Sequence, residues 1–388
     1  MESDFLVCAI ALSKVFAFEC ATGRALIEHF GGPEAVFSAG PRILHEALGS
    51  SRGDWVEKLS DRALREWARE EWAWNRRYGI RPLYYESEDY PRRLKECPDA
   101  PIILYVKGED ILDSERMLAV VGTRRASYYG RTSCKQIVAT LARNPRPPVI
   151  VSGLAFGIDG AAHEAALEAG LPTVAAIPGP LDQIYPPGHR DLARRILEQG
   201  GALVTDFARG DGYSPVQFLR RNRLIAGLSD ATLLVESFAK GGGLLTTGLA
   251  NSYGREVFAL PGRSTDAGSE GCNRQIAANL ARLATGAEDI EKAMNWEPPR
   301  RRKALQRTLD FGDDPLRRAI GAILAERSPI GFAALLEALR ERLSAGGTAP
   351  DTLPDAALLS ALLVELEIEG KIAALPGDRY SQGFVTFA

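Results

Sequence analysis

Six short apolar runs recur in the middle of this chain, at residues 117–121, 148–151, 173–177, 202–205, 231–235 and 257–260. Helical patterns fill most of the intervals between them. Apolar strands without polar alternation, interleaved with helices, predict a mostly parallel sheet covered on both faces. A sheet of that class takes its ligands in the crevice beyond the carboxyl ends of its strands. The glycine-rich sequences of this chain fall at those ends, so motif and topology point to one place.

A chain of 388 residues exceeds one ordinary core. Residues 1–78 read as a small helical domain, SAM or helix-hairpin-helix in type. Leu26, Ile27 and Phe30, then Val36 and Phe37, flank a Gly31-Gly32-Pro33 turn, and Trp55, Leu59, Leu64 and Trp67 continue an apolar face. Packing or partner binding fits this segment better than DNA contact, with Trp72 and Trp74 expected at the junction with the next domain. Residues 79–295 carry the α/β pattern. Residues 296–314 read as a linker, because paired prolines meet the basic cluster Arg300, Arg301, Arg302 and Lys303. Residues 315–388 read as three helices and a strand–turn–strand, a winged-helix-like domain. Its third helix carries Leu358, Leu359, Leu362, Leu363 and Leu366, too leucine-rich to assign a DNA-reading face.

The formal net charge of -3 excludes a uniformly basic body, so any polyanion surface must be a local patch. Cys8, Cys20, Cys97, Cys134 and Cys272 lack zinc-knuckle spacing, and an odd count argues against a complete disulfide framework. Buried thiols in a reducing cytoplasm are the expectation. No apolar stretch is long enough to cross a bilayer and no secretion leader is recognised, so no membrane insertion is expected.

Four segments carry candidate chemistry. After the first run, Gly122 permits a tight backbone turn, Arg124 and Arg125 add charged donors, and Thr123 or Ser127 offers a hydroxyl beside the free amides of a helix start. The second, residues 151–163, has Gly153 and Gly157 for close contacts and Asp159 as a cap. Asp159 lies one turn before His163, and a structural Asp–His hydrogen bond is the expectation. It specifies neither a nucleophile for catalysis nor a ligand cluster for a metal. The third, residues 177–189, is a proline-fixed ledge whose Tyr185 and His189 read as loop packing, with base stacking by Tyr185 and phosphate contact by His189 as the alternatives. The fourth, residues 236–248, is the strongest anion loop: Gly241, Gly242 and Gly243 let successive amides converge, with Lys240 before them and Thr246 and Thr247 after. It is no Walker motif, and no paired carboxylates accompany it to hold magnesium.

Between the third and fourth segments, residues 217–227 place Phe218, Arg220, Arg221, Asn222 and Arg223 beside an apolar run. Three guanidiniums cannot all enter a core without partners. A helix here presents a basic rim for phosphates, with Phe218 as a stacking surface for a base. Arg124 and Arg221 are expected to make the strongest contacts. The alternative is an internal Arg–Asp network with Asp206, Asp211 or Asp230.

Together these motifs resemble the DprA/Smf family of DNA-processing proteins. The resemblance rests on Gly122-x-Arg124, Ser152-Gly153-Leu-Ala-x-Gly157-Ile-Asp159, Ala162-His163, Tyr185-Pro186, Arg221-Asn222-Arg223 and Pro261-Gly262, in order across residues 84–284. It implies an extended Rossmann-like domain flanked by helical and winged-helix accessories. It also implies no catalysis and no cofactor: incoming single-stranded DNA is bound and protected, single-strand-binding protein is displaced or tolerated, and RecA is loaded during natural transformation. A homodimer through the central domain is implied as well. By motif match Gly122, Arg124 and Ser127 face DNA in the first loop, Phe218 to Arg223 form the basic segment, and Gly241 to Thr246 the small-residue loop. Leu219 replaces a common proline, and Gly241-Gly242-Gly243 departs from the usual Ser-Gly-Ser/Thr. The enzymatic alternative is a nucleoside-monophosphate phosphoribohydrolase, whose glycine loop is followed closely by a catalytic glutamate; here no Glu follows before Glu256. A protein-binding scaffold is the third reading.

Overall fold

The computed structural model describes residues 2–49, 53–297, 311–345, 349 and 353–382. The chain forms two compact units, Met1–Pro299 and Arg300–Ala388.

All six apolar runs are strands of one nine-stranded sheet. In chain order its strands are β1 (Ile80–Tyr84), β2 (Ile103–Gly108), β3 (Met117–Val121), β4 (Val149–Ser152), β5 (Thr173–Ala176), β6 (Ala202–Thr205), β7 (Ala231–Leu234), β8 (Glu256–Ala259) and β9 (Arg282–Leu283). Their spatial order is β1-β2-β6-β5-β4-β3-β7-β8-β9. Strands β3 to β9 run parallel, while β2 pairs antiparallel with β6 and β1 with β2. The chain steps outward from β3 through β4, β5 and β6, then returns to lay β7 on the other side of β3. That reversal makes the carboxyl end of the β3–β7 pair the topological switch point, where connecting loops diverge and leave a crevice.

The pleat of β3 explains the unbroken apolar runs. Met117, Ala119 and Val121 enter one hydrophobic cluster, and Leu118 and Val120 enter a second on the opposite face. The first cluster also takes in Val7, Ile10 and Leu12 of the Glu2–Val15 helix and Phe16 just after it, so the N-terminal helices and the sheet share one core. The expected glycine turn is present: Gly31 ends the Cys20–Phe30 helix with φ 81°, and Gly32 follows with φ 150°. Trp74 stacks on Arg209, whose amide donates to the buried Glu71 carboxylate at 3.1 Å. Trp296, at the start of the expected linker, is buried in the second cluster, and its carbonyl accepts from Arg116 and Asn144. The basic cluster Arg300 to Lys303 lies outside the described residues.

In the second unit, helices Pro315–Glu326, Phe332–Ala345 and Ala356–Ile368 pack with a sheet ordered β10-β12-β11. These strands are Ile330–Gly331, Ile372–Leu375 and Arg379–Gln382 for β10, β11 and β12. This is the winged-helix arrangement. The leucines of the third helix are mostly core: Leu359, Leu362, Leu363 and Leu366 meet Ile320, Leu324, Leu335 and Leu339. Phe311 is buried in the same cluster. The five cysteines are free thiols and buried. Among the described residues, no helix is long and apolar enough to cross a membrane.

Candidate nucleic-acid interface

At the switch point, the loops after β3 and β7, the turn after β4 and the Pro215–Gly227 helix enclose a crevice of about 340 Å³. It is lined by Gly122, Arg124, Arg125, Phe218, Arg221, Asn222, Lys240, Gly241, Gly242, Gly243 and Thr246 among others. Glycine is needed at two of the joins. A Cβ on Gly122 would lie 2.8 Å from the Glu236 carbonyl oxygen, and one on Gly157, at φ 80°, would lie 2.2 Å from that of Thr123.

Arg124 and Arg125 are exposed at the lip, each guanidinium stacked on a ring: Arg124 over Phe218 and Arg125 over Phe238, both at 4.9 Å. Lys240 is exposed beside them. None of the three has an ion-pair partner among the described residues. The Gly242–Ser252 helix begins after Gly241 with no side-chain cap on its first amides, and Gly241, Gly242 and Gly243 line the crevice. Thr246 is buried in the lining, whereas the Thr247 hydroxyl bonds its own helix at Leu244.

The helix start after β3 differs from expectation. The Ser127 hydroxyl accepts from the Gly130 amide at 3.0 Å, and the Ser127 amide donates to the Glu236 carboxylate at 2.8 Å. An internal anion, 5% exposed, therefore occupies this terminus. Thr123 is likewise engaged, accepting from the Arg125 amide at 3.1 Å. The helix start at the crevice without a side-chain cap is that of the glycine loop.

The arginine segment divides by helical phase. Phe218, Arg221, Asn222 and Ile225 turn toward the crevice, while Arg220 and Arg223 lie on another face. Arg220 approaches Asp206 to 2.7 Å and lies between the rings of Phe18 and Phe207; Arg223 pairs with the same carboxylate. Burial pushes Asp206 up, but the Arg223 and Arg220 charges outweigh it and hold its pKa below the ordinary value. The Asp206 network is thus present for these two, while Asp211 pairs with Lys14 and Asp230 with Arg93.

Arg221 lines the crevice but is 3% exposed, which differs from the rim position expected for it. Its Nη1 donates to the carbonyls of Gly153 and Ala176, tying the turn after β4 to the end of β5. Burial lowers its pKa to about 10, against the opposing pull of Asp159. Burial raises Asp159 to about 6, against Arg221 and the amides of Ala155 and Gly153. Burial disfavours both charges, and the two brace one turn around Gly153.

Asp159 does not bond His163. The His163 Nδ1 meets the Thr173 hydroxyl at 2.8 Å, and that hydroxyl donates to the Ile150 carbonyl at 2.6 Å, so Nδ1 carries the proton. Burial, then the charges of His189 and Arg221, lower His163 to about 3. Asp159 is instead drawn backward to the turn it stabilises. His189 also serves the scaffold, its Nδ1 bonding the Leu154 carbonyl at 2.8 Å.

An aromatic row borders the crevice. Tyr185 lies 5.1 Å from Tyr213 and 5.3 Å from Phe218, and Phe156 packs edge-on against His189 at 4.7 Å. Glu236, Phe238, Phe156 and Tyr213 were not singled out by the sequence; only Glu236, at a strand end before a glycine loop, carries a local signal there. Among the described residues, no group of three or more His, Cys, Asp or Glu side chains could hold a metal ion.

Residues 81–295 match the family model described as DNA recombination-mediator protein A. The chain is 38% identical over 297 residues to protein Smf of Escherichia coli K12, covering 75% of each. It is 37% identical over 201 residues to DNA processing protein DprA of Streptococcus pneumoniae R6, covering 52% of this chain and 70% of the relative. The solved DprA of Streptococcus pneumoniae superposes with a TM-score of 0.53 at 32% identity, over 65% of this chain and 90% of that one. The Helicobacter pylori DNA processing protein A, solved for its single-stranded DNA binding mode, gives 0.51 at 27%, over 57% and 98%. The chain belongs to the DNA recombination-mediator protein A family, the DprA/Smf proteins.

Proposed function

We propose that this protein binds single-stranded DNA without sequence preference and loads RecA onto it. The observation that carries the reading is the contrast among its cations. Arg220, Arg223 and Arg221 are consumed by the scaffold, whereas Arg124, Arg125 and Lys240 stand exposed and unpaired at one crevice lined by the uncapped glycine loop. Exposed like charges repel one another, so such a cluster is stabilised by an anion, and a sugar-phosphate backbone supplies several in a row. The site offers amides and stacked rings, with no base-reading helix, which suits a sequence-tolerant single strand. The family resemblance supports extending this reading to recruitment of RecA, displacement or tolerance of single-strand-binding protein, a homodimer, a cytoplasmic setting and a role in transformation.

Binding of unstructured oligonucleotides and of duplex, each across a salt series, tests the first part. The single strand is expected to bind more tightly, with affinity falling as salt rises; equal, salt-independent binding to both would reject the reading. For the second part, a strand is coated with single-strand-binding protein and RecA filament growth is followed. This protein is expected to accelerate growth, and no acceleration with its native RecA, despite demonstrated DNA binding, would reject loading.

A further inference from the structure

The aromatic row beside the crevice has no task in the scaffold that its exposure would explain. Phe156 is 51% exposed and Tyr185 is 38% exposed, at the tips of two loops whose backbones are otherwise fixed. Leu154 at φ 56° and Gly157 at φ 80° bracket Phe156 in a tight turn that leaves its ring exposed. The His189 ring braces it from one side, and Gly188 lies beneath, where even a Cβ would be 3.6 Å from the ring. Tyr185 is supported by Tyr213, which donates to the Gln183 carbonyl and whose ring fills the space a Cβ on Gly179 would need. Two aromatic rings, each packed on one side by a neighbouring ring, are therefore exposed to solvent next to a cationic site.

Phe218, the ring first expected to stack on a base, is half-buried, with Arg124 over it and Tyr185 against it. Arg124 itself lines both the phosphate crevice and the adjoining cleft formed by Phe156, Pro178, Tyr185 and Phe218. That cleft holds only about 30 Å³, too little to admit a base, so stacking must use the outer faces of its rings. From this continuity we infer that Phe156 and Tyr185 form a stacking ledge for the base of a nucleotide whose phosphate Arg124 holds. The inference rests on the proposed single-strand binding and extends it: Arg124 is the hinge between a phosphate track and a base track. Any of the four bases presents a π-face, so the ledge contributes affinity without selecting sequence.

The test compares an oligothymidylate with an equally long abasic sugar-phosphate strand, on the full chain. The unmodified protein is expected to prefer the base-bearing strand. Phe156→Leu, which keeps an apolar side chain and removes the π-face, is expected to bind oligothymidylate about 5-fold more weakly, the equivalent of ~1 kcal/mol for one lost stack. Its affinity for the abasic strand should not change, and Phe156→Trp should restore the preference. No loss on oligothymidylate, or an equal loss on both strands, would overturn the ledge while leaving the phosphate track standing. Failure of the unmodified protein to bind either strand would instead remove the proposed function, and the ledge with it.

Discussion

The backbone amide of Ser127 donates to the carboxylate of Glu236 across 2.8 Å, mooring the loop after β3 to the end of β7. The join has no slack. A Cβ on Gly130 would fall 2.2 Å from one Glu236 oxygen, and one on Gly268 would fall 2.5 Å from the other. Glu236→Ala removes a charged acceptor and leaves a cavity between these glycines. We expect a loss of about 1.5–3 kcal/mol in chemical denaturation, and a smaller loss for Glu236→Gln, whose amide oxygen still accepts. Equal stability of Glu236→Ala and the unmodified protein would show that the mooring contributes nothing.

Asp206 and Arg124 should separate stability from binding. Asp206→Ala leaves Arg220 and Arg223 buried without their counter-charge and should cost about 3–5 kcal/mol of stability. Arg124→Ala removes an exposed cation, so its unfolding midpoint should stay close to that of the unmodified protein. Its single-stranded DNA affinity should fall by about 1–3 kcal/mol. Denaturation and oligonucleotide titration on both variants check the pair, and the reverse pattern would exchange the two roles.

His163 sets a pH dependence with a definite sign. Its folded pKa, about 3, lies below the ordinary histidine value of 6.5, so the unfolded chain binds the extra proton between those values. This stability is present above pH 6.5 and is lost as pH falls toward 3, at about 1.4 kcal/mol per pH unit. Asp159 acts oppositely: raised from 3.8 to about 6, it favours the folded chain at low pH, and that contribution is lost as pH rises from 4 to 6. The two slopes oppose one another between pH 4 and 6. His163→Gln removes one of them, so the stability difference between the unmodified protein and the variant should grow with pH across this window. A constant difference would mean that His163 does not titrate as described.

Much of the fold was legible because both faces of β3 to β7 are buried, which writes each strand as an unbroken apolar run. The antiparallel edge was not. Pro82 interrupts β1, and it is tolerated because β1 pairs with β2 alone and leaves its other side open. The division of the arginines was half-legible. Spacing of three puts Arg220 and Arg223 on one helical face and Arg221 on another. The sequence offered Asp206, Asp211 and Asp230 as partners without choosing among them; Asp206, 17 residues before Arg223, follows β6, and the folded sheet brings it to the helix. The Asp159–His163 spacing misled for a related reason, since Asp159 finds backbone amides and Arg221 nearer at hand, and Thr173 reaches His163 from β5. Phe156 and Tyr213 carry no local pattern, because their arrangement comes from loops of separate strands.

The salt dependence of single-stranded DNA binding, measured for the unmodified protein and for the Arg124→Ala, Arg125→Ala and Lys240→Ala variants, tests the central claim most directly. Each phosphate contact on a single strand contributes a slope of about 0.7 in the logarithm of affinity against the logarithm of salt concentration. We predict that each single variant lowers the slope by about that amount and that the triple variant nearly abolishes salt-sensitive binding, with folding intact. Slopes in all four variants equal to that of the unmodified protein would contradict the claim and move the phosphate track elsewhere on the molecule.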